Sequence, residues 1–310
     1  MKMKGRNLLL AGLGLLLSVA SCNKLESDLK KQMKIDDEKI LNHLTQNDIQ
    51  AQKHNLGFYY KVLETNATGA QLNKNDVVKF LYSISLLDGT LIESNFTEGT
   101  PAVFNLNSFT MIPEGLDYGI KLMKTGEKYR FFMPSYIAFG SYVSDHFASR
   151  SNFIIDVEVL GKMSETEVFN IQKDSIIAYM DANYPGYLMT ETGLCFVDSI
   201  SGTGNTPRLG DIITIDFKRK YLDNSLIKTV QETSFPLNSQ YAVPGLEEGL
   251  KLMKSGGSAI LVMPSSIAFK QSVCVIPRKV RQELVRDKII IEEVLPYSIL
   301  KYVVKLKAVN

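Results

Sequence analysis

Several residue types are scarce in this 310-residue chain, and each shortage excludes a class of protein. The chain has no tryptophan, three cysteines and three histidines, and its formal net charge is only +2. A nearly balanced charge provides no basic footprint, so we expect no nucleic-acid partner. The histidines have no partners at metal-ligand spacing, and no phosphate-binding loop or nucleophile motif occurs, so we expect no metal and no cofactor. Beyond the N-terminus, no apolar run approaches the ~18–20 residues that a membrane span requires.

The N-terminus has the pattern of a targeting segment. Basic residues precede an apolar run over 8–17, and the small residues Val19-Ala20-Ser21 follow it. The next residue is Cys22, and Val-Ala-Ser-Cys resembles a bacterial lipobox, which implies a signal peptide over 1–22 and lipidation of Cys22. The resemblance implies an extracytoplasmic, lipid-anchored envelope protein, with Asn23 favouring the outer membrane. The alternative is an ordinary secretory peptide that happens to precede a cysteine.

One stretch of sequence occurs twice in the chain. Residues 114–139 and 244–269 are related by a constant offset of 130, and 14 of the 26 positions are identical. Upstream, the helix-like stretches 35–44 and 171–180 are related by an offset of 136. A repeat of this length indicates an internal duplication, which gives two units of roughly 120–140 residues, an ordinary domain size.

Each unit has the pattern of an α+β domain. A polar, amphipathic helix within 23–56 comes first, and its counterpart over about 165–183 connects the two units. Apolar, β-branched runs over 57–63 and 77–84 predict strands, Asp88-Gly89 predicts a tight turn, and 116–124 has helical spacing. Further strands are predicted over 129–133, 153–160 and 299–306. The order of elements predicts an antiparallel sheet packed on one short helix in each unit.

The two cysteines outside the N-terminal segment are Cys195, in a strand-like run, and Cys274, in a presumed loop. A bridge between them is one interpretation. Their places in the repeat do not suggest adjacency, so buried free thiols are the favoured interpretation.

The spaced motifs of the first unit resemble the FKBP family of peptidyl-prolyl cis-trans isomerases. The motifs are Tyr82-(x5)-Asp88-Gly89, Pro101-(x2)-Phe104-(x)-Leu106, Gly115-Leu116-(x2)-Gly119-Ile120-(x2)-Met123-Lys124-(x)-Gly126, Ala138-Phe139-Gly140 and 155–160. The resemblance covers 57–162 and, more weakly, 193–310, with a linker helix over 163–192 and a loop insertion at about 270–293. It implies two tandem FKBP-like domains of the kind found in lipoproteins of Bacteroidetes.

The chemistry that this family implies needs no acid, base or nucleophile. Rotation about an X-Pro amide is opposed by ~18–20 kcal/mol of resonance. A twisted amide is less polar at its carbonyl oxygen, so a dry apolar pocket favours the transition state over the planar amide. The resemblance therefore implies an apolar hollow with a few polar groups, which acts on proline-containing or extended segments of exported proteins.

The resemblance assigns one set of residues to each pocket. In the first unit the catalytic positions fall on Tyr82, Glu93 and Phe139, and the substrate pocket on Ile92, Met111, Ile112, Leu116 and Ile155. In the second unit the matching positions are Phe217, Ile227, Lys228, Leu246, Phe269, Leu295 and Tyr302. Because Phe217 replaces a tyrosine and Lys228 a carboxylate, we expect the second pocket to be degenerate.

The missing tryptophan bears on both pockets, since the family normally places an indole at the pocket floor. Leu116 and Leu246 stand at that position and could be floor residues or ordinary core. The basic stretch 278–288 predicts a helical insertion with a solvated face, or alternatively contact with an acidic partner or headgroup.

Two functions follow as hypotheses. One is a weak prolyl isomerase that assists the folding of exported proteins, with any activity in the first unit. The other is a catalytically degenerate binding module, or a structural component of an envelope complex.

Overall fold

The computed structural model describes residues 28–97, 99–238, 241–291 and 293–310. The predicted signal peptide and Cys22 lie outside these residues. Within the described ranges, no helix is both long and apolar enough to cross a membrane.

The first unit is an antiparallel sheet with a helix on each face. Helix α1 runs through residues 28–46, and short helix α2 spans Glu114–Ile120. The strands are β1 (Gln52–Lys53), β2 (Tyr59–Glu64), β3 (Val77–Leu86), β4 (Leu91–Ser94), β5 (Ala102–Asn105), β6 (Met111–Ile112), β7 (Lys128–Met133) and β8 (Phe153–Met163). The sheet order is β1-β2-β7-β8-β3-β4, and β5 also pairs with β3.

The second unit repeats this arrangement. Helix α3 (Glu165–Asn183) precedes it, and its own short helix is α4 (Pro244–Lys251). The strands are β9 (Leu188–Met189), β10 (Cys195–Ile200), β11 (Ile212–Tyr221), β12 (Leu226–Pro236), β13 (Ser258–Met263), β14 (Cys274–Val275) and β15 (Leu300–Val309), and helix α5 spans Arg281–Arg286. The order β12-β11-β15-β13-β10-β9 matches the first sheet strand for strand, which confirms the predicted α+β class and the tandem arrangement.

The helix predicted over 116–124 is shorter and begins earlier than expected. It starts at Glu114 because Pro113 stands at its N-cap, and it ends at Ile120. After Ile120 the backbone closes tight turns, with the Leu122 N–H bonded to the Gly119 carbonyl at 3.1 Å. The apolar spacing continues through Met123, but those side chains are buried from a turn rather than from a helix.

Each unit has one core between its sheet and its short helix, and the longer preceding helix covers the other face of the sheet. The outer clusters use equivalent positions of the two copies. In the first unit they are Ile40, Leu44, Tyr59 and Phe132, and in the second Ile176, Met180, Cys195 and Val262.

Two glycines of the repeat explain why the short helices lie so close to their sheets. A Cβ on Gly119 would lie 2.8 Å from the Phe131 ring, and one on Gly249 would lie 2.5 Å from Leu261. Both distances are shorter than any normal contact, so only glycine allows this helix–strand approach.

The two units are joined by a ladder from the insertion in the second unit. Strand β14 pairs in parallel with β6 of the first unit, with Cys274 opposite Met111 and Val275 opposite Ile112. The Ile112–Pro113 and Ile276–Pro277 peptide bonds that follow these two strands are both cis. The two cysteines predicted to be free thiols are indeed unpaired and buried.

Candidate functional site

The structure brings the predicted residues of the first pocket together. Tyr82 on β3 is fully buried, and its hydroxyl donates a hydrogen bond to the Glu93 carboxylate on the neighbouring strand β4. Burial, and then the bond to Glu93, raise the pKa of Tyr82, so the phenol is neutral and acts as a donor. A buried tyrosine held by a carboxylate is a fixed polar group in an otherwise apolar region.

The walls of this pocket belong to the core of the first unit. Ile92, Met111, Leu116 and Ile155 are all buried, and Ile112 packs against them at the edge. Phe139 is half-buried and packs against Phe147, with 4.6 Å between the ring centroids and the rings tilted by 45°. Leu116 has no exposed surface and lies in the same core.

A segment of the second unit fills this pocket. Residues 272–290, which we call the closing segment, run along β6 and extend its ladder. The Cys274 N–H donates to the Thr110 carbonyl at 2.6 Å, and the Ile276 N–H donates to the Ile112 carbonyl at 2.7 Å. Ile276 is only 1% exposed, and Pro277 after it is also buried.

The polar pair of the pocket binds the backbone just after this proline. The Arg278 N–H donates to Glu93 Oε1 at 2.7 Å, and the Lys279 N–H donates to Glu93 Oε2 at 2.9 Å. The Tyr82 hydroxyl lies 3.3 Å from the Arg278 nitrogen. Both oxygens of Glu93 are therefore engaged by the chain itself.

The rest of the closing segment covers the pocket mouth. Its apolar side chains Val280, Leu284 and Ile290 are buried in the core of the first unit. Tyr142 donates to Asp287 at 2.8 Å across the rim. A cavity of about 400 Å³ remains beside the segment, bounded by Met111, Phe139 and Leu284 among others.

The basic insertion is helical over Arg281–Arg286, as predicted, and it has a solvated face that includes Gln282 and Arg286. One face is buried against the first unit, and even Arg281 is only 5% exposed. The signal that sequence reasoning missed was the apolar run Val273-Cys-Val-Ile-Pro277 ahead of the basic residues. A run of this kind in a loop requires a surface to bury it.

The second pocket is open. It is a cavity of about 1050 Å³, and the predicted residues that line it are Phe217, Lys228, Leu246, Phe269 and Tyr302. Two predicted residues do not line it. Ile227 packs against the second core, and Leu295 lines a small cavity beside Ala102 and Cys274 because its loop turns towards the first unit.

A residue that sequence reasoning missed lies within the second pocket. Arg219 lines the cavity, with its guanidinium 4.5 Å from the centroid of the Phe269 ring, and its Nε donates to the Tyr302 hydroxyl at 2.8 Å. Arg219 and Tyr302 are paired across β11 and β15, at the positions that Ile84 and Ile155 occupy across β3 and β8. The second pocket thus has a guanidinium among aromatic rings where the first has aliphatic side chains.

Two antiparallel sheets, each wrapped on a short helix beside a pocket, define a tandem protein of FKBP-like domains. A sequence profile of the FKBP-type peptidyl-prolyl cis-trans isomerases matches residues 69–160 and 204–307. These two regions cover more than half of the chain, and the chain belongs to this family.

Individual relatives match part of the chain. The FKBP-type peptidyl-prolyl cis-trans isomerase FkpA of Aeromonas hydrophila is 38% identical over 104 residues, which cover 34% of this chain and 37% of that protein. The outer membrane protein MIP of Legionella longbeachae is 34% identical over 84 residues, covering 27% and 34%. The matches therefore span little more than a third of these relatives.

Among solved structures, FkpA from Escherichia coli is similar with a TM-score of 0.37 and 21% identity, covering 53% of this chain and 76% of that chain. The three FKBP domains of wheat FKBP73 give a TM-score of 0.32 and 17% identity, covering 84% and 99%.

Proposed function

We propose that the first unit carries a peptidyl-prolyl cis-trans isomerase site that acts on proline-bearing, extended segments of exported proteins. Tyr82 and Glu93 are its polar pair, and its walls come from β4, β6, β8, helix α2 and Phe139. The observation that carries the proposal is that a proline-bearing segment lies in this pocket, bonded to β6 before the proline and to Glu93 after it.

The geometry supports rotation about an X-Pro bond without covalent chemistry. Strand pairing fixes the residues before the proline, and the carboxylate fixes the amides after it. The buried walls exclude water from the amide between these two anchors, which favours its less polar, twisted form. A tenfold acceleration corresponds to about 1.4 kcal/mol of differential stabilisation.

We place this activity at the bacterial envelope, with the chain held at a membrane, the outer membrane in our proposal, by lipid on Cys22. The support is the lipobox-like sequence Val19-Ala20-Ser21-Cys22 and the similarity to a relative named as an outer membrane protein. Lipid attached at Cys22 would hold the protein body at a membrane surface.

A second candidate function is binding without turnover, as a module or a structural component of an envelope complex. The observation in its favour is that the open pocket is the second one, where Phe217 and Lys228 stand in place of the tyrosine and the carboxylate. Such a pocket can bind an apolar segment but lacks the tyrosine and the carboxylate of the first pocket.

The test measures cis/trans exchange in a panel of X-Pro peptides by NMR, with the chain from residue 23 onwards, which keeps every residue the structure describes. Because the closing segment fills the pocket, the panel includes Ile276→Glu, which puts a carboxylate where an apolar side chain is buried and so displaces the segment. We expect Ile276→Glu to accelerate exchange, and Tyr82→Phe or Glu93→Gln in that background to reduce the acceleration by ~10-fold or more.

The matched controls are Phe217→Leu and Lys228→Gln at the equivalent positions of the second pocket, which should leave the acceleration unchanged. If Ile276→Glu binds the peptides but does not accelerate their cis/trans exchange, the isomerase proposal is rejected and the binding module is supported.

A further inference from the structure

We infer that the closing segment is a built-in ligand of the first site, so that the folded chain is autoinhibited and an external segment must displace residues 272–290 to bind. The inference rests on the function proposed for the pocket and adds its regulation and its ligand preference.

The apolar side chains of the closing segment belong to the core of the first unit rather than the second. Six of them are at most 6% exposed: Cys274, Val275, Ile276, Val280, Leu284 and Ile290. The second unit has a separate core to which none of these residues contributes. The segment is therefore a covalent extension of one unit that packs as a ligand of the other.

The segment also uses the polar groups that a substrate would need. Glu93 accepts one backbone N–H on each oxygen, from Arg278 and Lys279. The Thr110 and Ile112 carbonyls at the pocket edge accept from Cys274 and Ile276. A second peptide cannot make these bonds while the first set is in place, so occupancy is mutually exclusive.

The attachment to the second unit allows the segment to leave. The Ser272 hydroxyl donates to the Val294 carbonyl at 2.7 Å, and the Tyr297 N–H donates to the Lys270 carbonyl at 2.8 Å. These bonds tie the two ends of the loop together at its base. The second unit is thus closed beneath the loop, and release of residues 273–290, beyond the Ser272 bond, leaves its sheet intact.

The bound segment indicates what the pocket accepts. Val275 and Ile276, immediately before the proline, are 3% and 1% exposed, whereas the Lys279 side chain after it is exposed. The preferred ligand is therefore an extended segment with two apolar residues before proline and two residues with backbone N–H groups after it. Strand pairing requires it to run parallel to β6.

The experiment measures fluorescence anisotropy of a labelled peptide with the sequence of residues 273–280, titrated with the chain from residue 23 onwards and with Ile276→Glu. We expect Ile276→Glu to bind the peptide at least ~10-fold more tightly. In the unchanged chain only the molecules whose first pocket is unoccupied can bind, and this lowers the apparent affinity for the peptide. The control is Gln282→Ala, which changes an exposed side chain on α5 of the same segment, and should behave like the unchanged chain. Equal affinity in all three proteins, or no binding to a folded Ile276→Glu, would overturn the inference.

A second measurement needs no variant. In the ¹⁵N-labelled chain, hydrogen exchange at the Arg278 and Lys279 amides should speed up when the unlabelled peptide is added to saturation, since these amides lose Glu93. Peptide binding that leaves their exchange unchanged contradicts displacement. If Ile276→Glu binds the peptide but does not accelerate X-Pro exchange, the built-in ligand stands and the proposed isomerase fails.

Discussion

At the level of single residues, the two copies differ at positions that face the pockets. The Ile84–Ile155 pair of the first unit is replaced by Arg219 and Tyr302 in the second. The stretch Lys218-Arg219-Lys220 has the pattern of a solvated, basic strand, so sequence reasoning gave no reason to place Arg219 in a cavity. The Tyr82–Glu93 pair, by contrast, was assigned to one site from the family pattern, and the structure joins the two by a hydrogen bond.

Asp117 on α2 makes stability depend on pH. It is 3% exposed, and burial raises its pKa above the ordinary 3.8, although its Oδ1 accepts the Asn107 N–H at 2.8 Å. Between pH 3.8 and the raised pKa of the folded state, Asp117 holds a proton in the folded state that it has lost in the unfolded state. The free energy of unfolding therefore falls as pH rises through that window. We expect Asp117→Asn, which keeps the acceptor, to raise the urea midpoint at pH 7 and to lose this advantage below pH 3.8.

The control for this prediction is Asp88→Asn in the exposed turn. The Thr90 backbone N–H donates to Asp88 at 2.9 Å and lowers its pKa, so the neutral variant should not raise the midpoint at pH 7. A higher midpoint in both variants would point to net charge rather than burial.

At the level of elements, helices α1 and α3 explain why Met-Pro-Ser ends the equivalent strand in both copies, at 133–135 and at 263–265. Asp36 of α1 accepts from the Ser135 N–H at 3.0 Å and from its hydroxyl at 2.6 Å. Gln172 of α3 accepts from the equivalent groups of Ser265 at 2.8 and 2.9 Å. The serine is therefore the docking point of the helix.

Loss of this contact should cost stability. Asp36→Ala leaves the buried Ser135 hydroxyl without this acceptor, so we expect the free energy of unfolding to fall by about 1–3 kcal/mol, and Gln172→Ala to have an effect of similar size. Asp36→Asn, which keeps one acceptor, should lose less. Urea denaturation measures all three.

The matched control is Glu38→Ala on the exposed face of the same helix, which should stay within about 0.5 kcal/mol of the unchanged chain. An equal loss in Glu38→Ala and Asp36→Ala would mean that helix propensity, rather than docking, is being measured.

Much of the fold could be predicted from the sequence. The hydrophobic periodicity predicts the helices and strands, and the duplication provides a second copy of the same pattern. Helix α3 was predicted at about 165–183 and spans Glu165–Asn183. The ladder between β6 and β14 could not be predicted, since it joins two-residue strands far apart in the chain and has no counterpart in the other copy. Strands this short carry no periodic signal.

At the level of the whole molecule, the second unit contacts the first through the first unit's pocket. Cys274 provides a reporter of this contact. It is 4% exposed, and burial raises the pKa of its thiol to about 12, so little reactive thiolate exists at pH 8.

We expect Cys274 to react slowly with iodoacetamide at pH 8 in the chain from residue 23 onwards, and at least ~100-fold faster in Ile276→Glu. The internal control is Cys195, whose pKa burial raises to about 11 within the second unit, and which should stay slow in both proteins. Peptide mass spectrometry distinguishes the two sites. Equal rates at Cys274 in both proteins would show that the segment remains in place.

The closing segment also makes the first unit depend on a stretch of chain that is synthesised much later. The last strand of the first unit ends at Met163, whereas its core includes Ile290. At ~5–20 residues per second, the ribosome needs roughly 6–25 s to synthesise the intervening stretch. The residues that contact β6 and Glu93 also lie within this stretch, so a chain that stops before them cannot close its first pocket. Closure of the first pocket therefore requires both units to have been made.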